Sequence, residues 1–457
     1  MNTGILDQQT QDSKKRLASL VQEGRAASTV QLEKIPVKGY EQVIKVTDNQ
    51  SQLTAIIAIH DTSMGPALGG IRIQPYASWD AALEDVLRLS KGMTYKSAVA
   101  EVGFGGGKSV IIADPKTQKT PELLFAMGSA IEKLGGQYIC AEDVGCTTED
   151  CKIIRRATKY VVGLAQAKSS GDPGPFTAWG VFRGVQSAAK KLFGSEWLEG
   201  RTIAVQGLGN VGSHLINYLF WAGAKLILSD IDPVKLQRLA AKYGAKTVSP
   251  DQILSVECDI LCPCALGGCI NDQTIPQFRC KAIAGAANNQ LLKGSHALDL
   301  RERGILYAPD FVINAGGLLN VAAELEEEGY HPSFPRSKIH RIYDCLLAIY
   351  DIAEKNKDST HAAAIALADY RIKYGLGKRI TISFCGHYRG PSVNDRSSEI
   401  LENIPLVAIV HICASLKPPN ATLICLRRLN LVLDIFYSLF NTNGFYQVRR
   451  WKRSNAF

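Results

Sequence analysis

The sequence predicts an α/β protein of two domains separated by a cleft, and three observations carry that reading. Short apolar runs such as Thr202–Gln206 and Lys225–Ser229 alternate with helical segments along residues 202–307, the pattern of a parallel sheet covered by helices. Gly207-Leu-Gly-Asn-Val-Gly212 follows the first of these strands and opens a helix, and Asp230 ends the next strand eighteen residues beyond Gly212. A G-x-G-x-x-G alone is weak, and a glycine turn without nucleotide stays open; in this setting it is the dinucleotide-binding fingerprint of a Rossmann domain. Finally, Gly171-Asp-Pro-Gly-Pro175 has the composition of a linker, and it separates that region from an earlier one with its own strands and helices.

The chain has 457 residues, 46% of them hydrophobic and 21% charged, which suits a globular protein with more than one core. Its formal net charge is +9, but residues 380–457 hold nine Lys/Arg against four Asp/Glu. The remaining excess is scattered and lacks the aromatic interleaving of a nucleic-acid surface, so no nucleic-acid partner is expected. Twelve cysteines include Cys262-Pro-Cys264 with Cys269. That spacing is not a usual zinc arrangement and no histidine is near, so no metal is expected and buried reduced thiols are the reading. The N-terminus carries no apolar signal region, and Asp7, Asp12 and Glu23 disfavour a transit peptide. A cytoplasmic location is therefore expected.

In chain order, residues 1–28 read as a polar extension. Val43–Val46 and Leu53–Ile59 are strand-like by β-branched content. Gly65–Gly70 reads as a turn before a short strand, Ile71–Ile73. Ser78 is a plausible cap for a helix whose Ala82, Val86 and Leu89 share one face, and this helix delivers Met93 and Lys96. The glycine run Gly103–Lys108 reads as a loop leading into strand Val110–Ala113. Thr120-Pro121 opens a helix to about Leu134; Tyr138–Cys140 is a strand, with Glu142-Asp143 at its C-terminal end. Beyond the Rossmann fingerprint, strands Asp259–Leu261, Ala282–Ala284 and Ile305–Tyr307 are each followed by a loop at the sheet's carboxyl end. Asn288 and Asn314 lie in two of these loops, where they could bond the nicotinamide side of a cofactor or its ribose; ordinary turn chemistry also explains them. Residues 341–374 are helical, broken by a polar loop near 356–360. The tail from 380 has two apolar runs, Ile404–Leu416 and Ala421–Phe440, the first too short to cross a membrane and the second interrupted by charge.

Chemistry concentrates in Lys91-Gly-Met-Thr-Tyr-Lys96 and Gly103-Phe-Gly-Gly-Gly-Lys108, whose terminal lysines stand twelve residues apart. Two lysines beside glycines suit a pocket for a small carboxylate with one amine doing chemistry; two solvated lysines at a turn fit these residues as well. With Gly65-Pro-Ala-Leu-Gly-Gly-Ile-Arg72 before them and Ala141-Glu-Asp-Val-Gly145 after, the ordered set resembles the leucine dehydrogenase branch of the glutamate, leucine, phenylalanine and valine dehydrogenases. The likeness runs from about residue 30 to 379.

That resemblance implies a function and a set of roles. Lys96 would hold the substrate carboxylate, and Leu68, Gly69, Gly70 and Met93 would complete the substrate pocket. Lys108 would be the catalytic amine, poised by enclosure and the neighbouring cation, with Asp143 relaying protons. Gly207, Leu208, Gly209, Asn210, Val211, Gly212 and Ser213 would cradle NAD, with Asp230 on its ribose and Asn288 near its nicotinamide. Asp230, with no basic residue until Lys235, favours NAD over NADP. The glutamate enzymes carry lysine where this chain has Leu68, so an aliphatic substrate is expected. The expected reaction is oxidative deamination of leucine, valine and isoleucine by a homo-oligomer acting on small molecules, away from membranes. Phenylalanine dehydrogenase, and a non-catalytic nucleotide- or amino-acid-binding regulator on the same scaffold, remain alternatives. Ile71, Cys146 and Phe176 depart from the usual pattern. The expected domains are residues 29–170 completed by 345–379, and 171–344, flanked by the 1–28 extension and an unassigned tail, 380–457.

Overall fold

A computed structural model describes residues 29–164 and 169–379; the expected N-terminal extension and the 380–457 tail lie outside them. Two six-stranded sheets organise the chain. The first comprises β1 (Gln31–Lys34), β2 (Gln42–Asp48), β3 (Leu53–Asp61), β4 (Ala67–Gln74), β5 (Gly105–Ile112) and β6 (Tyr138–Ala141), in the order β1-β2-β3-β5-β4-β6. β5 is antiparallel to β3 and parallel to β4, which in turn pairs in parallel with β6. The sheet is therefore mixed, and its parallel half carries the candidate residues.

Helix α1 (Trp79–Ala100) lies across this sheet. Ser78 caps it, its side chain accepting from the Ala81 N–H, and Ala82, Val86, Ser90, Thr94 and Ser97 form its buried stripe at helical spacing. Val86 and Ala82 pack with Val43, Ile56, Ala58 and Val110. Side chains alternate along β5. Since Gly106 contacts Thr94 of α1 and Val110 packs with Val86, Lys108 between them faces the helix, toward Lys96.

Two sequence expectations change here. Gly69 and Gly70 are strand rather than turn, because β4 begins at Ala67. The glycine run is also strand, since β5 spans Gly105–Ile112 and includes Lys108. Glycine is depleted in strands, so local preference pointed to a loop. The structure uses it for close approach: a Cβ at Gly106 would stand 2.2 Å from the Thr94 backbone nitrogen and 2.5 Å from the Ser90 carbonyl oxygen. α2 (Pro121–Lys133) and α3 (Thr148–Ile154) cover the far end, each with a threonine cap, Thr120 and Thr147.

After α4 (Gly174–Phe193), the second sheet is built from β7 (Thr202–Gln206), β8 (Lys225–Ser229), β9 (Lys246–Thr247), β10 (Cys258–Pro263), β11 (Cys280–Ile283) and β12 (Leu306–Tyr307). All pairs are parallel and the order is β12-β11-β10-β7-β8-β9. The chain moves outward from β7 in one direction and returns to β10 on its other side, so a switch point opens at their carboxyl ends. Helix α5 (Asn210–Trp221) starts there. α6 (Pro233–Tyr243) and α7 (His296–Glu302) connect further strands, and the short α8 (Asp310–Ile313) and α9 (Gly316–Ala322) follow β12. α10 (Ser333–Asn356) packs on α4, whereas α11 (Thr360–Lys373) packs back on α1. Arg379 continues that return: its N–H donates to the Met64 carbonyl. No described helix is long and apolar enough to cross a membrane.

Candidate functional site

Between the two sheets lies a cleft of about 600 Å³, lined by Leu68, Gly69, Gly70, Met93, Lys96, Lys108, Asp143, Val211 and Asn288 among others. That size suits a small-molecule ligand. Every residue expected to act on or contact the substrate therefore meets in one place, although β4, α1, β5 and the turn after β6 supply them separately.

Lys108 is 5% exposed, and its Nζ lies 3.1 Å from Asp143 Oδ1. Asp143 is set by a tight turn: its backbone pairs with Cys146 in both directions, Asp143 N–H to Cys146 O and Cys146 N–H to Asp143 O, with Gly145 between them at φ +79°. The other Asp143 oxygen, Oδ2, accepts from Arg72 Nε at 3.0 Å. Burial by itself raises the Asp143 carboxyl, but the charges of Lys108 and Arg72 outweigh it and hold the group below its usual value. Asp143 is thus an anion between two cations.

Lys96 makes no hydrogen bond or ion pair with the described residues. Burial in the cleft wall pulls its pKa down to about 8; the nearby Lys108 charge acts the same way, and Asp310 and Asp143 oppose it. An amine without a partner among the described residues, in the lining of this cleft, has the chemistry to receive a carboxylate. The apolar part of the pocket is Leu68, Leu89, Met93, Phe311, Leu318 and Val321. Leu68 is 1% exposed and brings no charge to it.

On the opposite wall, the glycine loop lies at the carboxyl end of β7. Gly207 takes φ +88°, and a Cβ at Gly212 would meet the Gly207 carbonyl oxygen at 2.0 Å, so loop and helix close tightly. Gly209 is the N-cap of α5, has no side-chain cap and faces open space. The first-turn N–H groups and the positive end of the helix dipole are thus free for a phosphate. Asp230 sits beside them: Leu208 N–H donates to its Oδ2 at 2.6 Å and Asp232 N–H to its Oδ1 at 2.8 Å. Asn210 donates to Asp172, and Ser213 donates to the Leu208 carbonyl, bracing the loop. Of this group only Val211 reaches the cleft lining; the rest form the adjoining shelf.

Asn288 and Asn314 are also joined, with Asn314 Nδ2 donating to Asn288 Oδ1 at 2.7 Å and to the Ala286 carbonyl at 3.1 Å. Asn314 is not in a loop directly after a strand, as expected, but closes helix α8. Its Oδ1 is buried at the cleft without a partner among the described residues, which leaves an acceptor for an amide or amine of a bound group. The capless helix, the Gly212 approach and this orphaned oxygen fit a nicotinamide dinucleotide.

Sequence reasoning gave no role to Arg72, Asp85 or Asp310. Arg72 stood in a quoted motif, two residues after Gly70 and so on the same strand face; that parity was the available signal. Nothing local marked Asp85 or Asp310. The nine described cysteines are free thiols, buried or half-buried; Cys262 and Cys264 pack with the main apolar core, and Cys269 packs against a second cluster that includes Leu261 and Ile283.

Comparison with known proteins agrees with this geometry. A family described as Glu/Leu/Phe/Val dehydrogenase, dimerisation domain, matches residues 40–160, and one described as Glutamate/Leucine/Phenylalanine/Valine dehydrogenase matches residues 228–373. The chain is 52% identical to leucine dehydrogenase of Geobacillus stearothermophilus over 350 residues, spanning 76% of this chain and 95% of that one. It is 51% identical to leucine dehydrogenase of Bacillus subtilis over 335 residues, 73% and 92% of the two chains. The crystal structure of L-tryptophan dehydrogenase from Nostoc punctiforme superposes with a TM-score of 0.66 at 46% identity, covering 74% of this chain and 97% of that one. With about half of the aligned residues identical along nearly the whole length of such relatives, the chain belongs to the glutamate/leucine/phenylalanine/valine dehydrogenase family.

Proposed function

We propose that this chain oxidatively deaminates branched-chain L-amino acids, converting leucine, valine or isoleucine with NAD and water into the 2-oxo acid, ammonium and NADH. The observation that carries the reading is the Lys108–Asp143 pair beside the unpartnered Lys96, in a cleft with uncharged Leu68 in its wall. Lys96 receives the substrate carboxylate. Gly69, Gly70 and Met93 shape the space around Cα, and the side chain enters the apolar region at Leu68. A glutamate side chain would find no countercharge at Leu68, and a buried unpaired carboxylate is heavily disfavoured. Lys108, through its Nζ, withdraws the proton from the water that adds to the imine carbon, and Asp143 takes up and returns protons at Oδ1.

NAD, when bound, accepts the hydride from Cα. Gly207 to Ser213 would hold its pyrophosphate, Asp230 its ribose, and Asn288 with Asn314 its nicotinamide side. Asp230 also repels a 2′-phosphate. Asp230→Ser is therefore expected to narrow a preference for NAD over NADP; equal wild-type rates with both cofactors at subsaturating levels contradict that role. The protein acts as a homo-oligomer, a reading supported by the dimerisation-domain description of residues 40–160. Free thiols throughout the described residues suit a reducing, cytoplasmic setting.

The decisive assay is NADH formation at alkaline pH with a panel of L-amino acids that includes phenylalanine, tryptophan and glutamate. Aliphatic substrates should lead. They should differ modestly among themselves, since one methylene in such a pocket is worth about 1–3 kcal/mol. Faster turnover of phenylalanine or tryptophan would overturn the substrate assignment, and no NADH with any of them would overturn the activity.

A further inference from the structure

Arg72 bridges two carboxylates. Its Nε donates to Asp143 Oδ2 at 3.0 Å and its Nη1 to Asp85 Oδ2 at 3.0 Å. Asp85 belongs to α1 and is gripped in turn: Tyr76 OH donates to its Oδ2 at 2.7 Å and Arg88 Nη2 to its Oδ1 at 2.9 Å. One end of the Arg72 fork is thus anchored away from the reacting centre, and the planar guanidinium transmits that anchoring to the other end. Arg72 and Asp143 both line the cleft, and their side chains are only 15% and 20% exposed.

The two oxygens of Asp143 consequently have different neighbours, Arg72 at Oδ2 and Lys108 at Oδ1. We propose that Arg72, held by Asp85, is a positioning residue that clamps Asp143 through Oδ2, so that Oδ1 alone exchanges protons with Lys108. The inference rests on the roles of Lys108 and Asp143 proposed above. In the exchange one N–H bond of the Lys108 ammonium breaks and one O–H bond forms at Asp143 Oδ1, leaving a neutral amine and a neutral acid; the Arg72 bond to Oδ2 persists. A lysine could supply charge at this place but not a rigid planar group that bonds Asp143 from one nitrogen and Asp85 from another.

The charged and titratable groups facing Asp143 are Lys108 from β5, Arg72 from β4, Lys96 from α1 and Tyr138 from β6, with Tyr76 beyond Arg72. Among these, Arg72 and Lys108 are in direct contact with the carboxylate. Removing the Arg72 charge takes away a stabiliser of the anion, so Asp143 protonates at higher pH. The acidic limb of kcat/KM then moves upward.

The test compares wild type, Arg72→Met and Arg72→Lys in leucine-dependent NADH formation across a pH series. Arg72→Met should lower kcat about 10- to 100-fold through misplacement of the carboxylate. It should raise the acidic limb by about one pH unit or more and leave the leucine KM nearly unchanged. Arg72→Lys should return the limb toward its wild-type position while recovering only part of kcat. An acidic limb that stays in place in Arg72→Met, or a raised KM with kcat preserved, overturns the proposal; the second result would make Arg72 a substrate contact. If melting curves show that Arg72→Met does not fold, Asp85→Asn loosens the anchor while keeping the guanidinium. It should lower kcat by misplacing the carboxylate without raising the limb, because it removes an anion rather than a cation from the neighbourhood of Asp143; a kcat retained in full, or a limb that rises, overturns the proposal again. Wild-type protein inactive on every amino acid would instead defeat the underlying functional assignment.

Discussion

Two lysines within one cleft are put to different uses by their partners. Lys108 has Asp143 at 3.1 Å and is committed to that pair. Lys108→Ala should therefore cut kcat by about two orders of magnitude or more, the usual consequence of losing a general acid–base group. NAD binding, followed by fluorescence titration, should hardly change, and wild-type-like turnover would sink the assignment. Lys96 has no such partner among the described residues, and its pKa is drawn down to about 8. Below that value it is an ammonium and attracts a carboxylate; as pH rises through it, the charge is lost. The affinity of a 2-oxo acid measured by calorimetry should accordingly weaken above about pH 8, and Lys96→Met should bind weakly at every pH with a flatter dependence. A wild-type affinity that stays level through that range would remove Lys96 from the carboxylate site.

At the scale of elements, the site depends on how near α1 comes to β5. Glycine at 106 is what permits the approach, because Thr94 of the helix occupies the space a Cβ would need. Gly106→Ala forces the helix outward, and overpacking of this kind typically costs about 1–3 kcal/mol. The same displacement carries Lys96 away from Lys108, so the melting temperature should fall and the leucine KM should rise together. A stability loss with unchanged KM would mean that the Lys96 position does not depend on this contact.

For the molecule as a whole, the two sheets are tied by chain segments that cross near the cleft. Glu324 is one fastening, accepting from Gly163 N–H at 3.1 Å and Ser170 N–H at 2.7 Å. Arg379 is another, donating to the Leu325 and Val102 carbonyls and pairing with Glu326 at 2.7 Å. A chain ended after Arg379 keeps both fastenings and every residue given a chemical role. It should retain specific activity, and should be more soluble without the apolar runs of the tail. A chain ended after Lys373 loses Arg379 and should melt at a lower temperature. Loss of activity in the first of these would place part of the working structure beyond residue 379.

Much of this was legible in the sequence because it is local. A cap such as Ser78 bonds within three residues of itself, and the fingerprint at Gly207–Gly212 with Asp230 lies in one strand–helix–strand unit, so both leave a readable spacing. The ordered lysine and aspartate motifs, singled out through their resemblance, also come together along one cleft. Tertiary structure decided what depends on partners remote along the chain. Gly105–Lys108 became strand because β3 and β4 flank it, against glycine's own preference for a loop. Asn314 became the end of a helix, its amide turned to Asn288. The Arg72 bridge joins residues 72, 85 and 143, and the depressed basicity of Lys96 arises from burial and from the charge at 108, with the charges at 310 and 143 opposing it. Desolvation and Coulomb forces act through space; a residue's neighbours in sequence do not reveal which charges will stand beside it after folding.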